Sequence, residues 1–126
     1  MGYTHYWESK TGIPADVWEG ICEDAKQLTA AFSSPIRDLT ISKLEIFFNG
    51  DCESFELTRA PVWECCKTRR EPYDKLVCAV LAVAAQRFPE LNVGSDALWE
   101  GDESLWDSAM EWAGKVLGRD VPKPWK

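Results

Sequence analysis

The chain has 126 residues, a formal charge of −7 and a pI near 4.7, with 45% hydrophobic and 28% charged residues. A chain of that size buries one core without covalent staples, and its apolar content excludes intrinsic disorder. The acidic balance argues against direct binding of bulk nucleic acid or an anionic membrane, and no run reaches the ~18 apolar residues of a membrane span.

Residues 2–7 read Gly-Tyr-Thr-His-Tyr-Trp and alternate as a strand does, with Tyr3, His5 and Trp7 on one face and Thr4 and Tyr6 on the other. Pro14 suits the first turn of a helix. Val17, Ile21, Ala25, Leu28 and Phe32 then recur at helical steps opposite Asp16, Glu19, Glu23, Asp24 and Lys26, which predicts an amphipathic scaffold helix ending near residues 33–35. Residues 36–43 read as a connection or a frayed strand. Leu44 to Phe48 is a predicted strand. The Asn49-Gly50 pair signals a turn because both residue types tolerate positive φ. Residues 53–58 return antiparallel, Arg59-Ala60-Pro61 turns again, and residues 62–67 form the third strand of a meander.

Pro72 is predicted to open a second helix. Leu76 to Ala85 carries no charge, so that helix belongs in the core. Pro89 ends it, Leu91-Asn92-Val93 reads as a short edge strand, and Gly94-Ser95-Asp96 as a turn. Asp102 is the predicted N-cap of a third helix, with Leu105, Trp106, Ala109, Trp112, Ala113 and Val116 as its apolar face and Gly118 as its stop. Residues 121–126 form a tail. The sum is a single α+β domain over residues 1–126: an antiparallel sheet of four to five strands, the meander plus the N-terminal strand, packed with three helices.

The five cysteines (Cys22, Cys52, Cys65, Cys66 and Cys78) are odd in number and lack CxxC spacing, and the first residues do not form a signal peptide. Free thiols in a cytoplasmic setting are expected.

The densest chemistry lies where the third meander strand meets the second helix: Lys67, Thr68, Arg69, Arg70, Tyr73 and Asp74 fall within eight positions. A helix start offers unpaired N–H groups and positive potential, so an anion is favoured there. With the N-terminal strand and the hairpin, the candidate ligand set is Thr4, His5, Tyr6, Asn49, Glu53, Ser54, Lys67, Thr68, Arg70, Tyr73 and Asp74. Lys67 and Arg70 suit a phosphate or carboxylate, and Tyr6, Trp7 or Tyr73 a planar ring. For each residue alone the simpler reading is structural: Arg70 paired with Glu53 or Asp74, Thr68 capping the helix, His5 bonded in the core.

Catalysis has little support. His5 is the only histidine, and no nucleophile elbow accompanies it. Neither a metal nor a cofactor is expected, because the separations among His5, the cysteines and the carboxylates show no ligand pattern. A rival surface lies in the last third, where Asp96, Glu100, Asp102, Glu103, Asp107 and Glu111 surround Trp99, Trp106, Trp112 and Trp125. Acidic side chains around aromatic anchors suit docking on a basic protein, with Trp99, Asp102, Glu103 and Trp106 as the candidate contacts.

Residues 2–7, Phe48-Asn49-Gly50, Glu53-Ser54-Phe55 and the run Cys66-Lys67-Thr68-Arg69-Arg70 with Pro72-Tyr73-Asp74 together resemble a family of small uncharacterised proteins of bacteria and their phages. Its pattern opens with GYTHYW and continues through FNG, E-[ST]-F and FCKT-x-R-x-PYD, over roughly residues 2–88 here. Cys65 stands where that pattern has phenylalanine. The resemblance implies no reaction. Its phage association implies by analogy a counter-defence role in the host cytoplasm. With the residues above, the expected function is a non-enzymatic protein sequestering a small anionic, nucleotide-like ligand, alternatively an inhibitor docking on a host protein such as a nucleic-acid-handling effector, and third a small hydrolase using His5 and Asp74. Oligomeric state is left open, a homodimer included.

Overall fold

A computed structural model describes residues 2–125 of the chain. The elements in order are β1 (Thr4–Ser9), α1 (Ala15–Ala31), β2 (Arg37–Ile41), β3 (Glu45–Asn49), β4 (Phe55–Thr58), β5 (Val62–Lys67), α2 (Asp74–Arg87), β6 (Asn92–Ser95), α3 (Asp96–Glu100) and α4 (Ser104–Leu117). The fold is α+β, but the strands form two three-stranded antiparallel sheets, ordered β5-β1-β6 and β2-β3-β4, and the described helices number four. The expected single sheet and three helices are corrected accordingly.

The reason lies after β4. The Arg59 carbonyl accepts the Ile13 N–H (2.8 Å), and the Arg59 guanidinium donates to the Ile13 carbonyl (2.7 Å). The chain is therefore tied to the β1–α1 loop instead of folding back on β4. It enters β5, which pairs with β1 in the register His5↔Cys66 and Trp7↔Glu64. β6 takes the other edge of β1, His5↔Ser95 and Trp7↔Val93. The N-terminal strand is thus central, a position only strands with both edges bonded occupy.

Alternation on β1 holds as expected: Tyr3, His5, Trp7 and Ser9 are buried, while Thr4, Tyr6 and Glu8 are only half-buried. On β5 the adjacent cysteines face opposite ways, Cys65 exposed and Cys66 buried. The segment at residues 36–43 contains a true strand, β2, whose residues are exposed except for half-buried Ile41. Its lack of an inward face explains why no strand pattern marked it.

α2 is buried from Leu76 through Ala85 and contacts both α1 and α4. It begins at Asp74 rather than Pro72, because residues 68–74 first make two tight turns, Glu71 N–H to Thr68 O (3.0 Å) and Asp74 N–H to Glu71 O (2.8 Å). Trp7 meets Phe55 at 5.2 Å between ring centroids and Phe55 meets Phe48 at 5.0 Å, which carries the core from one sheet to the other. Asp24, expected on the polar face of α1, is instead buried, because it receives Arg87 from α2 and Arg119 beyond α4, each through two hydrogen bonds of 2.6–3.2 Å. Burial alone would raise its pKa, but the two guanidiniums outweigh burial and hold the carboxyl below its usual range.

The last third also departs from expectation. Ser95 ends β6 and caps α3, its Oγ accepting the Ala97 N–H, where a plain turn was predicted. Gly101 and Gly118 stop α3 and α4 in the left-handed region, both at φ 69°. Asp102 sits one residue before the α4 cap position and accepts the Ser104 N–H at 3.0 Å. In the tail, Trp125 packs edge-on against Trp106 at 4.7 Å; Lys126 lies outside the described residues.

Gly50 is required for a reason other than turn geometry. Its φ is not positive, and a Cβ built there would lie 2.1 Å from Tyr73 Cγ. The Tyr73 ring rests on the Gly50 backbone. Gly50→Ala and Gly50→Asn should therefore each destabilise the fold by about 1–3 kcal/mol through overpacking, measured as a lowered urea midpoint. A tolerated Gly50→Asn would return the explanation to turn chemistry.

Candidate functional site

Strand alternation turns His5 inward from the middle strand, and helical spacing puts Asp74 and Cys78 one turn apart on the side of α2 that meets it. His5 Nε2 lies 2.6 Å from Asp74 Oδ1, and His5 Nδ1 lies 2.8 Å from Ser95 Oγ. Thr68 Oγ1 donates to the same Asp74 oxygen at 2.6 Å. Cys78 Sγ is 3.5 Å from His5 Nε2 and 3.6 Å from Asp74 Oδ2. His5 and Thr68 are fully buried, Asp74 and Ser95 nearly so.

The proton positions follow from the acceptors. Ser95 Oγ already accepts the Ala97 N–H and the Trp106 indole N–H, both at 3.1 Å. Its own proton therefore points to His5 Nδ1, which leaves the His5 proton on Nε2, donated to Asp74. Tyr3 and Trp106 enclose the imidazole edge-on, at 5.1 and 5.0 Å. Among the described residues the buried Tyr3 hydroxyl makes no hydrogen bond of ordinary geometry, its nearest polar influence being the Ser95 hydroxyl. Burial, with the Asp74 carboxylate and Cys78 sulfur close by, pushes the Tyr3 phenol well up, and burial likewise pushes the Cys78 thiol well up.

The corner above this chamber is conformationally strained. β5 ends where the Thr68 and Arg69 N–H groups both meet the Tyr3 carbonyl, at 2.9 and 3.4 Å. Arg69 and Arg70 then adopt φ of 54° and 59° in succession. Each left-handed non-glycine residue costs on the order of 1 kcal/mol or more, so surrounding contacts must impose it. Arg70 stacks on the Tyr3 ring at 4.1 Å and pairs with Glu100 of α3, not with Glu53 or Asp74. Tyr73 is buried and donates to the Glu53 carbonyl at 2.6 Å, and Glu53 Oε1 accepts the Lys67 N–H at 2.8 Å.

His5, Thr68 and Asp74 thus come together as expected, but facing one another inside the core. Lys67 and Arg70 remain at the rim, half-buried and exposed. The Thr4 N–H and the Tyr6 hydroxyl are turned to Asp96, each at 3.0 Å. Asn49 donates to Asp38 at 2.8 Å on the β2–β3 edge, and Ser54 is exposed on the β3–β4 loop. Cys78 and Ser95 were missed. The four-residue step from Asp74 to Cys78 was a usable signal for the first; no local pattern marks Ser95, which reaches His5 across the sheet.

The C-terminal surface also sorts differently from expectation. Trp106 is fully buried, bonded to Ser95, and is corrected from surface contact to core; Trp112 and Trp125 are half-buried. Trp99 is 89% exposed on α3, with Leu98 and Leu105 exposed beside it in sequence. Asp102 is exposed, and Glu103 accepts from Lys123 and the Trp125 indole. Two shallow grooves lie elsewhere: one at Ile13, Leu44 and Arg59, and one of about 540 Å³ lined by Trp18, Cys22, Lys26, Ser42 and Lys43 among others.

No protein-family model, curated protein or solved structure matches the chain. No described helix is long and apolar enough to cross a membrane.

Cys66, buried beneath the corner, has its thiol pushed up to about 12 by burial. The folded chain keeps that proton at a pH where the unfolded chain, with a usual thiol value of 9.0, gives it up. Its contribution is complete below the unfolded value and is lost as pH rises toward the folded one. Urea midpoints should fall above pH about 9, and Cys66→Ala should flatten that fall; an unchanged slope would remove Cys66 as its source.

Proposed function

We propose that this is a non-enzymatic docking protein that binds a basic protein partner through the α3 knuckle. The observation that carries this reading is Trp99, 89% exposed on a short helix held at every side. An exposed tryptophan costs solubility and contributes nothing to the core, whereas at an interface it is among the commonest anchors. The knuckle is pre-ordered for that use. Ser95 caps its start, Gly101 stops it, Asp96 is held by Thr4 and Tyr6, and Glu100 is held by Arg70. Holding α3 in advance removes ordering cost from the binding step.

The chemistry of the rim identifies the class of partner. Glu100, Asp102, Glu103 and Asp107 follow Trp99 within nine positions; Arg70 pairs with Glu100 and Lys123 with Glu103 and Asp107, so four carboxylates face two cations and the rim stays acidic, in a chain of net charge −7. Such a surface is complementary to a lysine- and arginine-rich face, and it steers association more strongly at low salt. A host effector that handles nucleic acid has a face of that kind, which agrees with the counter-defence role the resemblance implies.

A second reading is favoured by the strained pair Arg69 and Arg70. It keeps the expected small anionic, nucleotide-like ligand and places it outside the corner, on Lys67 and Arg69, with the buried His5–Asp74 pair as support. Arg69 is exposed, and its left-handed backbone aims it differently from a regular strand end.

Trp99→Ala should weaken capture of a basic partner by more than about 30-fold, the scale of an aromatic hot spot, with the thermal midpoint unchanged because the side chain is exposed. Titration calorimetry on the captured partner, at low and high salt, checks this; unchanged affinity overturns the docking reading. Lys67→Glu with Arg69→Glu should leave that affinity intact. The same double change should abolish any nucleotide adduct seen by native mass spectrometry, and an adduct that survives it would place the ligand elsewhere.

A further inference from the structure

The buried chamber holds more than a proton chain needs. Ser95, His5 and Asp74 already satisfy one another, yet the Cys78 sulfur is brought to the same point, against both His5 and Asp74. His5, Asp74 and Cys78 place one ligand atom each within 4.8 Å of one another, all from buried residues. The two sulfur distances, 3.5 Å to His5 Nε2 and 3.6 Å to Asp74 Oδ2, can be compared with a real coordination sphere. Around four-coordinate zinc, with bonds of about 2.3 Å to sulfur and about 2.0–2.1 Å to nitrogen or oxygen, a tetrahedral S···N or S···O edge is about 3.5 Å. Both edges agree.

A second observation is the outer contact: His5 Nδ1 sits 2.8 Å from Ser95 Oγ, a hydroxyl placed to orient the imidazole once its proton lies on Nδ1.

We propose that His5 Nε2, Asp74 Oδ2 and Cys78 Sγ, as three protein donors, bind a divalent borderline-soft cation, best zinc. One imidazole nitrogen, one carboxylate oxygen and one thiolate form a donor set that selects zinc over magnesium or calcium. The proton balance is explicit. Cys78 gives up its thiol proton to solvent on forming the metal–sulfur bond. His5 stays neutral by moving its proton from Nε2 to Nδ1, where it donates to Ser95 Oγ; the Ser95 hydroxyl turns its own proton away from His5, and one of the two N–H groups it now accepts, Ala97 or Trp106, gives way. The 2.6 Å contact between Nε2 and Oδ1 opens, while Thr68 keeps Oδ1. The metal enters as the chain folds, because the chamber is closed, and it ties β1 to α2 at the root of the proposed docking surface. The site stands whether or not that surface binds a protein.

Chain synthesised in zinc-depleted medium supplemented with cobalt tests this directly. The expected result is one cobalt per chain, with the visible absorption of a tetrahedral centre and a near-ultraviolet thiolate-to-cobalt band. Cys78→Ala should lose that band and Cys66→Ala should keep it. Because His5 is the only histidine, the imidazole nitrogen resonances of zinc-grown protein provide a separate reading on the wild type, and they should show the proton on Nδ1. A wild-type protein without the thiolate band, a band that survives Cys78→Ala, or an imidazole proton that stays on Nε2 with zinc supplied would each overturn the proposal. Should Cys78→Ala fail to fold, the cobalt spectrum and the His5 tautomer of the wild type decide.

Discussion

The bond between His5 Nε2 and Asp74 Oδ1 is the constraint on which the molecule depends, because it joins the first strand to the first turn of the buried helix. A carboxylate under the core costs several kcal/mol unless it is paired and bonded. Here one Asp74 oxygen takes both His5 and Thr68, and the other faces Cys78. The imidazole in turn fixes Ser95, and Ser95 fixes both the start of α3 and the indole of Trp106. Five elements, β1, α2, β6, α3 and α4, therefore meet in one set of short polar bonds inside an otherwise apolar core. Such a set has high stakes: complete, it specifies one arrangement, and a missing member leaves buried groups unpaired.

The strained corner follows from the same constraint. For Thr68 to reach Asp74 while β5 stays in register with β1, the chain must reverse within residues 68–74. The reversal is taken up by two consecutive arginines in the left-handed region. Stacking of Arg70 on Tyr3 and its pairing with Glu100 hold that conformation, and Tyr73, seated on Gly50, holds the far side. The corner lies between the buried network and the α3 knuckle, connected to both through Arg70.

Acidic surface and buried chemistry are thus kept apart. Of the charged residues that resembled a ligand pocket, His5, Asp74 and Arg70 are drawn into structural pairs, and the most exposed large aromatic among the described residues is Trp99, on a capped short helix, with Trp63 exposed on β5 as well. A rigid short helix presenting an exposed tryptophan suits the docking role proposed for it.

Much of this was present in local pattern. The inward face of β1, the buried run of α2, the opposed cysteines of β5 and the glycine stop of α4 each follow from periodicity or from the conformational freedom of one residue, and they read directly from neighbours in the chain. The α+β class and the meeting of His5, Thr68 and Asp74 at one end were legible for the same reason. Pairing was not. Whether β5 sits beside β4 or β1 depends on a bond between Arg59 and Ile13, which are 46 positions apart, and no local spacing encodes it. The burial of Trp106, the seating of Tyr73 on Gly50, and the convergence of Cys78 and Ser95 on His5 likewise depend on which surfaces meet. Local sequence determined which faces were apolar and where elements start and stop; only tertiary structure decided which polar groups were sealed together, because desolvation and hydrogen-bond partnership belong to contacts between distant segments.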